Sequence, residues 1–259
     1  MSILDDIIIK KKEEVAVGKI KLPLDLIQEE LTTDTRDFKG ALQKSGISFI
    51  TEIKRKSPSK GLIRADFDPV SIAQIYEGHG SSALSVLTDE SFFGGSPDFL
   101  TQARQITQLP ALRKDFIIDA YQIYEARLLG ADAILLIAAC LKKETITEFI
   151  QLAAELKMAC LVEVHSASEL KDVLETPAEI IGINNRNLAT FKVSLQTSLD
   201  LKKQIPDGIV TVGESGIHTR EDVVLLEEAG FDALLVGESL MKSEDIGQQL
   251  VTLKGELIS

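Results

Sequence analysis

The residues of this chain best suited to chemistry begin at position 50. Ile50, Glu52 and Lys54 alternate along a β-prone run, so their side chains share one face of a strand. The next seven residues, Arg55, Lys56, Ser57, Pro58, Ser59, Lys60 and Gly61, are cationic, hydroxylated and broken by proline. Such a strand end suits a salt bridge before a solvated turn, or an anion-binding catalytic segment. The stretch alone leaves both open.

Other runs decide. Lys114 lies between Arg113 and Asp115 in ALRKDF, and Glu163 lies in CLVEVH. IIGIN ends in Asn184, Asn185 and Arg186; IVTVGES ends in Glu214, Ser215 and Gly216; ALLVGES ends in Gly237, Glu238 and Ser239. Unpartnered buried charges are expensive, so six polar strand ends on one rim point to a site. A rim that concentrates Glu52, Lys54, Lys114 and Glu163 should shift their pKa values, as acid–base chemistry requires. The last two ends carry glycines that let backbone N–H groups approach a phosphate beside a helix N-terminus.

The elements that must position these residues follow a repeat. From residue 46 onward, eight short apolar runs (SFITEIK, ALSVL, ALRKDF, AILLIA, CLVEVH, IIGIN, IVTVGES, ALLVGES) alternate with helical segments. Ile146, Phe149, Ile150, Ala153 and Leu156 fall on one helical face. Asp119 and Thr219 are expected helix caps, with Gly130 and Gly230 as stops. Several strands are apolar throughout, as when both faces of a parallel sheet are covered. This predicts an α/β fold, a (β/α)8 TIM barrel over 46–259, in one domain with a helical extension over 1–45. In the extension, Leu4, Ile7, Ile8 and Val15 suggest an amphipathic helix, with Asp5 and Asp6 before Lys10 to Lys12 suiting its dipole. No GxGxxG follows the first strand and no GxxxxGK[ST] occurs, which weakens dinucleotide and P-loop alternatives.

Composition narrows the partners. The 259 residues carry a net charge of −12 with pI about 4.8, which argues against nucleic acid or an anionic membrane as partner. Cys140 and Cys160 each sit in apolar runs and read as buried hydrophobes, and three scattered histidines lack metal-ligand spacing. No signal peptide and no membrane-spanning run is visible, so a cytoplasmic protein is expected. The oligomeric state stays open, a monomer included.

Taken in order, EIKRKSPSKG at 52–61, LRKDF at 112–116, LVEVH at 161–165, IGINNRNL at 181–188, VGESGI at 212–217 and LLVGESLM at 234–241 resemble the indole-3-glycerol phosphate synthase family across nearly the whole chain. The resemblance implies conversion of 1-(2-carboxyphenylamino)-1-deoxyribulose 5-phosphate, a small phosphorylated anion, to indole-3-glycerol phosphate with loss of carbon dioxide and water. It implies no cofactor and no metal. Lys114 would be the general acid at the ribulose carbonyl, and Lys54 would hold the anthranilate carboxylate and assist proton transfer, with the step served by each lysine left open. Glu163 would serve the dehydration, while Glu52 and Asn184 orient Lys54 and substrate hydroxyls. Arg186 would face the carboxylate end. Ser57, with Pro58 beside it, and Glu214, Ser215, Gly216, Gly237, Glu238 and Ser239 would bind the substrate around its phosphate. Phe93, Phe116, Leu136 and Leu188 are candidates for an apolar wall around the aromatic ring, or for plain barrel packing. Rival readings are a phosphoribosyl isomerase, a Schiff-base aldolase and a non-catalytic phosphosugar-binding barrel. The isomerase lacks its expected cysteine motif here, and simple binding would not need this acid–base set.

Overall fold

All eight apolar runs become parallel strands of one closed barrel in a computed structural model that describes residues 3–31, 34–188 and 190–256. They are β1 Ser48–Ile53, β2 Ala83–Leu87, β3 Ala111–Lys114, β4 Ala133–Ile137, β5 Ala159–Val164, β6 Ile180–Asn184, β7 Val210–Glu214 and β8 Ala233–Val236. Each pairs with its sequence neighbour, and β8 closes on β1 with Ser48 opposite Ala233. Alternate side chains serve two cores. Ile50, Leu112, Leu135, Leu161, Val212 and Leu235 fill the barrel, while Phe49, Val86, Leu136, Val162, Ile181 and Leu234 pack under the helices.

The expected caps form. Asp119 and Gln122 make a reciprocal capping box on helix Ala120–Leu128, as do Thr219 and Asp222 on helix Arg220–Glu228. Segment 55–61, read as a loop, instead contains a short antiparallel hairpin in which Lys56–Ser57 pairs with Gly61–Leu62.

The N-terminal extension touches both ends of the barrel. Helix Phe38–Leu42 plugs the floor, with Phe38 and Leu42 joining the interior core. Helix Ile3–Lys21 crosses the opposite rim, where Ile3, Leu4 and Ile7 reach the cavity at the mouth. Lys11 is no surface partner of the helix dipole. It is buried, with Nζ 2.9 Å from Asp115, 3.1 Å from Asp89 and 2.7 Å from Glu14. Arg113 lies 3.2 Å from Asp115, and the Thr88 hydroxyl donates to it at 2.6 Å. Burial would raise the Asp115 carboxyl, but Arg113 and Lys11 hold it at about 2. This cluster pins the helix to the ends of β2 and β3. Among the described residues no helix is long and apolar enough to cross a membrane, and no group of three potential His, Cys, Asp or Glu metal ligands occurs.

Candidate active site

Lys114 ends β3 and stands at the centre of the mouth. Its Nζ lies 3.0 Å from Glu163 on β5 and 3.5 Å from Glu214 on β7. Burial opposes its charge, yet Glu163, Glu214 and Glu52 together raise its pKa, so it is an ammonium. Glu163 is driven the other way: against its burial, Lys114 and His165 hold it well below the usual carboxylate range. Glu214 loses that competition. Burial and the neighbouring Glu163 charge push it up to about 8, so it keeps its proton at neutral pH.

Backbone choices make room for these groups. On β6, Gly182 stands opposite Glu163, and a Cβ there would sit 2.1 Å from Glu214 Oε1. Only glycine lets that carboxyl fold inward. Gly237 does the same for Glu52, whose Oε1 would lie 2.5 Å from an added Cβ. Glu52 is ion-paired with Lys54, two residues along the same face as expected.

Across the mouth, Arg186 reaches Glu238 at 3.2 Å, and Glu238 also meets Lys242 at 2.7 Å and Lys60 of the hairpin turn at 3.7 Å. Ser215 and Gly216 leave β7 with φ of +65° and +84°. That conformation strains a serine, and it is braced by Asn185 Nδ2 donating to the Ser215 carbonyl at 3.1 Å. Asn185 Oδ1 accepts from the Ser198 N–H, so this side chain clamps the backbone while Asn184 lines the cavity. Phe93 and Phe116 form an aromatic corner with ring centroids 6.1 Å apart.

Most expected site residues meet in this one cavity: Glu52, Lys54, Ser57, Pro58, Phe93, Lys114, Phe116, Glu163, Asn184, Arg186, Leu188, Glu214, Ser215, Gly216, Gly237 and Glu238 all line it. Two expected residues do not line it. Leu136 faces the helix layer and is fully buried there; its neighbours Leu135 and Ile137, in register with Leu161 and Glu163, supply the wall. The Ser239 hydroxyl donates to the Ile217 carbonyl at 2.9 Å and does not line the cavity. The cationic loop is also thinner than its sequence suggests. Lys56 turns to the Ser91 carbonyl at 3.3 Å, and neither it nor Arg55 reaches the cavity. Ile3, Leu4, Ile7, Phe191 and His218, which line the mouth, carried no signal that separates them from ordinary surface or core.

Comparison with known proteins agrees with this geometry. A family model described as indole-3-glycerol phosphate synthase matches residues 4–253. The indole-3-glycerol phosphate synthase of Legionella pneumophila (strain Paris) is 50% identical over 253 residues, covering 97% of this chain and 98% of its own. That of Alkaliphilus metalliredigens (strain QYMF) is 48% identical over 258 residues, covering 98% and 99%. Among solved structures, a mutant tryptophan synthase alpha-subunit from Pyrococcus furiosus superposes with TM-score 0.62 at 17% identity, over 80% of this chain and 98% of that one. Thiamine phosphate pyrophosphorylase from the same organism gives 0.61 at 16%, over 83% and 96%; both show the barrel fold alone. On the family match and these relatives, the chain belongs to the indole-3-glycerol phosphate synthase family.

Proposed function

We propose that the cavity divides the family's reaction among its residues as follows. The activity is that of a carboxy-lyase of tryptophan biosynthesis: 1-(2-carboxyphenylamino)-1-deoxyribulose 5-phosphate closes its pyrrole ring, loses carbon dioxide and water, and leaves as indole-3-glycerol phosphate. Lys114 protonates the ribulose carbonyl oxygen as the ring carbon attacks. Lys54 holds the carboxylate, with Glu52 beside it as counter-charge. Glu163 moves protons in the dehydration, and Asn184 orients substrate hydroxyls. Glu214, neutral at working pH, adds a donor at the rim without a second negative charge beside Glu163. The phosphate lies by Ser57, Ser215, Gly216 and Gly237, with Lys60 supplying positive charge, while Arg186 faces the carboxylate end. Phe93, Phe116 and Leu188 enclose the aromatic ring. Holding both ends of one flexible molecule so that its own atoms react can remove roughly 7–11 kcal/mol of barrier.

The observation that carries this reading is the Lys114 ammonium held between Glu163 and Glu214 at the barrel mouth. Because the Glu163 carboxylate keeps it charged against its burial, it carries a proton to donate and is a poor imine-forming amine, which disfavours a Schiff-base role. Lys114→Met should abolish the appearance of indole fluorescence from the carboxyphenylamino substrate while product still binds. Near-normal turnover would reject the assignment. We further place the enzyme in the cytoplasm and read it as able to act as a monomer, since every group invoked comes from one chain.

A further inference from the structure

Ring closure by this reaction consumes a proton. The substrate's carboxylate leaves as neutral carbon dioxide, and its carbonyl oxygen leaves as water carrying two hydrogens. One of these comes from the methylene beside the nitrogen. The other comes from solvent. Yet Glu163 and Glu214 are buried, Lys114 is largely so, and a substrate seated in the mouth stands between them and bulk water.

A group outside the cavity is placed to meet that demand. Glu163 turns one oxygen to Lys114; the other, Oε1, lies 3.2 Å from His165 Nε2. The opposite ring nitrogen, Nδ1, is 3.2 Å from Glu169 Oε2. Glu169 sits in the first turn of helix Ala167–Val173, where the Ser166 hydroxyl donates to its Oε1 at 3.0 Å. Its Oε2 also accepts the His165 N–H at 2.8 Å, so ring and carboxylate are fixed together. Neither residue lines the mouth. Burial alone would strip the imidazole of its extra proton, but Glu163 and Glu169 outweigh burial and push it up to about 10. The Cys140 thiol near both carboxylates is pushed up to about 12, chiefly by burial, and stays protonated, so it does not compete. A buried imidazolium between two carboxylates, one at the reacting end and one anchored to a helix cap, exceeds what packing requires.

We propose that His165, oriented by Glu169, is the proton store of this site, and that it supplies through Glu163 the proton each turnover draws from solvent. The inference rests on the reading of Glu163 as a proton carrier. In the transfer, the ring tilts to bring Nε2–H, which has no aligned hydrogen-bond partner at rest, into line with Glu163 Oε1; the Nε2–H bond then breaks with its electron pair staying on nitrogen, and an O–H bond forms on that oxygen. If Lys114 is the group left short, the protonated Glu163 carboxyl turns about its Cγ–Cδ bond to bring the O–H to Lys114, and that O–H bond breaks as a new N–H bond forms across the 3.0 Å contact. The ring is left neutral with its remaining proton on Nδ1, facing Glu169. It recovers the second proton by the same route in reverse, from water that reaches Glu163 once product leaves and the mouth opens. His165 and Glu169 touch no substrate; they are positioning residues that act through Glu163.

Stopped-flow measurement with a pH indicator in weak buffer tests this. In the unmodified enzyme, proton uptake from the medium should lag indole formation and track product release. In His165→Gln, uptake and chemistry should coincide, kcat should fall about 100-fold with KM within about twofold, and the rate should become buffer-dependent. Glu169→Gln should fall between the two. Uptake simultaneous with indole formation in the unmodified enzyme overturns the proposal even if His165→Gln fails to fold. So does a His165→Gln variant with kcat within twofold of normal. Glu163→Gln separates the two levels: normal turnover there removes Glu163 from proton transfer, whereas loss there with an unaffected His165→Gln removes only the store.

Discussion

Lys114 cannot carry two carboxylates on equal terms, and the pair beside it splits. Glu163 remains an anion, while Glu214, pressed by burial and by Glu163, is pushed up to about 8. The folded state thus binds the Glu214 proton more tightly than the unfolded chain. Its contribution to stability is present at low pH and lost as pH rises from the unfolded value of 4.5 toward 8. Glu214→Gln keeps the shape and removes the titration. The stability of this variant relative to the unmodified chain should rise with pH across that window and level off above it, as melts at pH 5, 7 and 9 would record. A flat difference would show that Glu214 is not the strained acid. Leu136 gives a second test at this scale. Leu136→Ala opens a cavity under the helices and should cost about 2–5 kcal/mol in urea melts with KM unchanged, whereas Leu135→Ala should raise KM. Glu52, Lys54, Lys114, Glu163 and Asn184 were legible because a charged or amide group in an apolar strand marks its own face. For Leu136 wall and packing stay equally open in the sequence, because AILLI has no polar residue to reveal which side faces inward; the structure decides for packing.

At the scale of elements, the helix Ile3–Lys21 behaves as part of the rim. Lys11 compensates Asp89 and Asp115, so Lys11→Met leaves two buried carboxylates short of a cation, a change worth about 3–5 kcal/mol. Asp115 has a lowered pKa, so its share is present above 3.8 and lost as pH falls toward 2. Lys11 has a raised pKa, despite its burial, so its share is present below 10.5 and lost as pH climbs past its folded value. The deficit of Lys11→Met should be full between those limits and shrink at acid pH. KM should rise too, because Ile3, Leu4 and Ile7 sit on the same helix. A stability loss equal at pH 7 and pH 2.5 would contradict the ion-pair account. The hairpin after β1 is the other element on the rim: Lys60 at its turn meets Glu238 across the mouth, which suits a flap that closes over bound ligand. The N–H groups of 55–57 and 59–61 should exchange more slowly with bound product, and unchanged exchange would deny the hairpin a closing role.

For the whole molecule, the period of apolar runs was enough to give the barrel, since strands covered on both faces and capped helices leave local marks. The job of the extension was not legible, because nothing local says which end of a barrel a helix meets. The structure assigns its parts different work. Residues 3–31 cover the mouth and carry Lys11, with Val15 and Ile27 packed on Tyr121. Residues 34–45 secure the floor. Arg36 donates to the Leu109 and Arg104 carbonyls, its N–H reaches Asp132 at 2.7 Å, and Phe38 and Leu42 fill the barrel's base. Two truncations should therefore fail differently. A chain starting at residue 34 loses the Lys11 pin, a large share of a typical 5–15 kcal/mol, but keeps its floor. It should fold with a lowered Tm and bind product weakly. A chain starting at residue 46 opens the interior core to water and exposes the bases of β1 and β2, and it should not show a cooperative melt by circular dichroism. Equal melting of the two would mean that the floor helix is dispensable and that the barrel closes on its own strands.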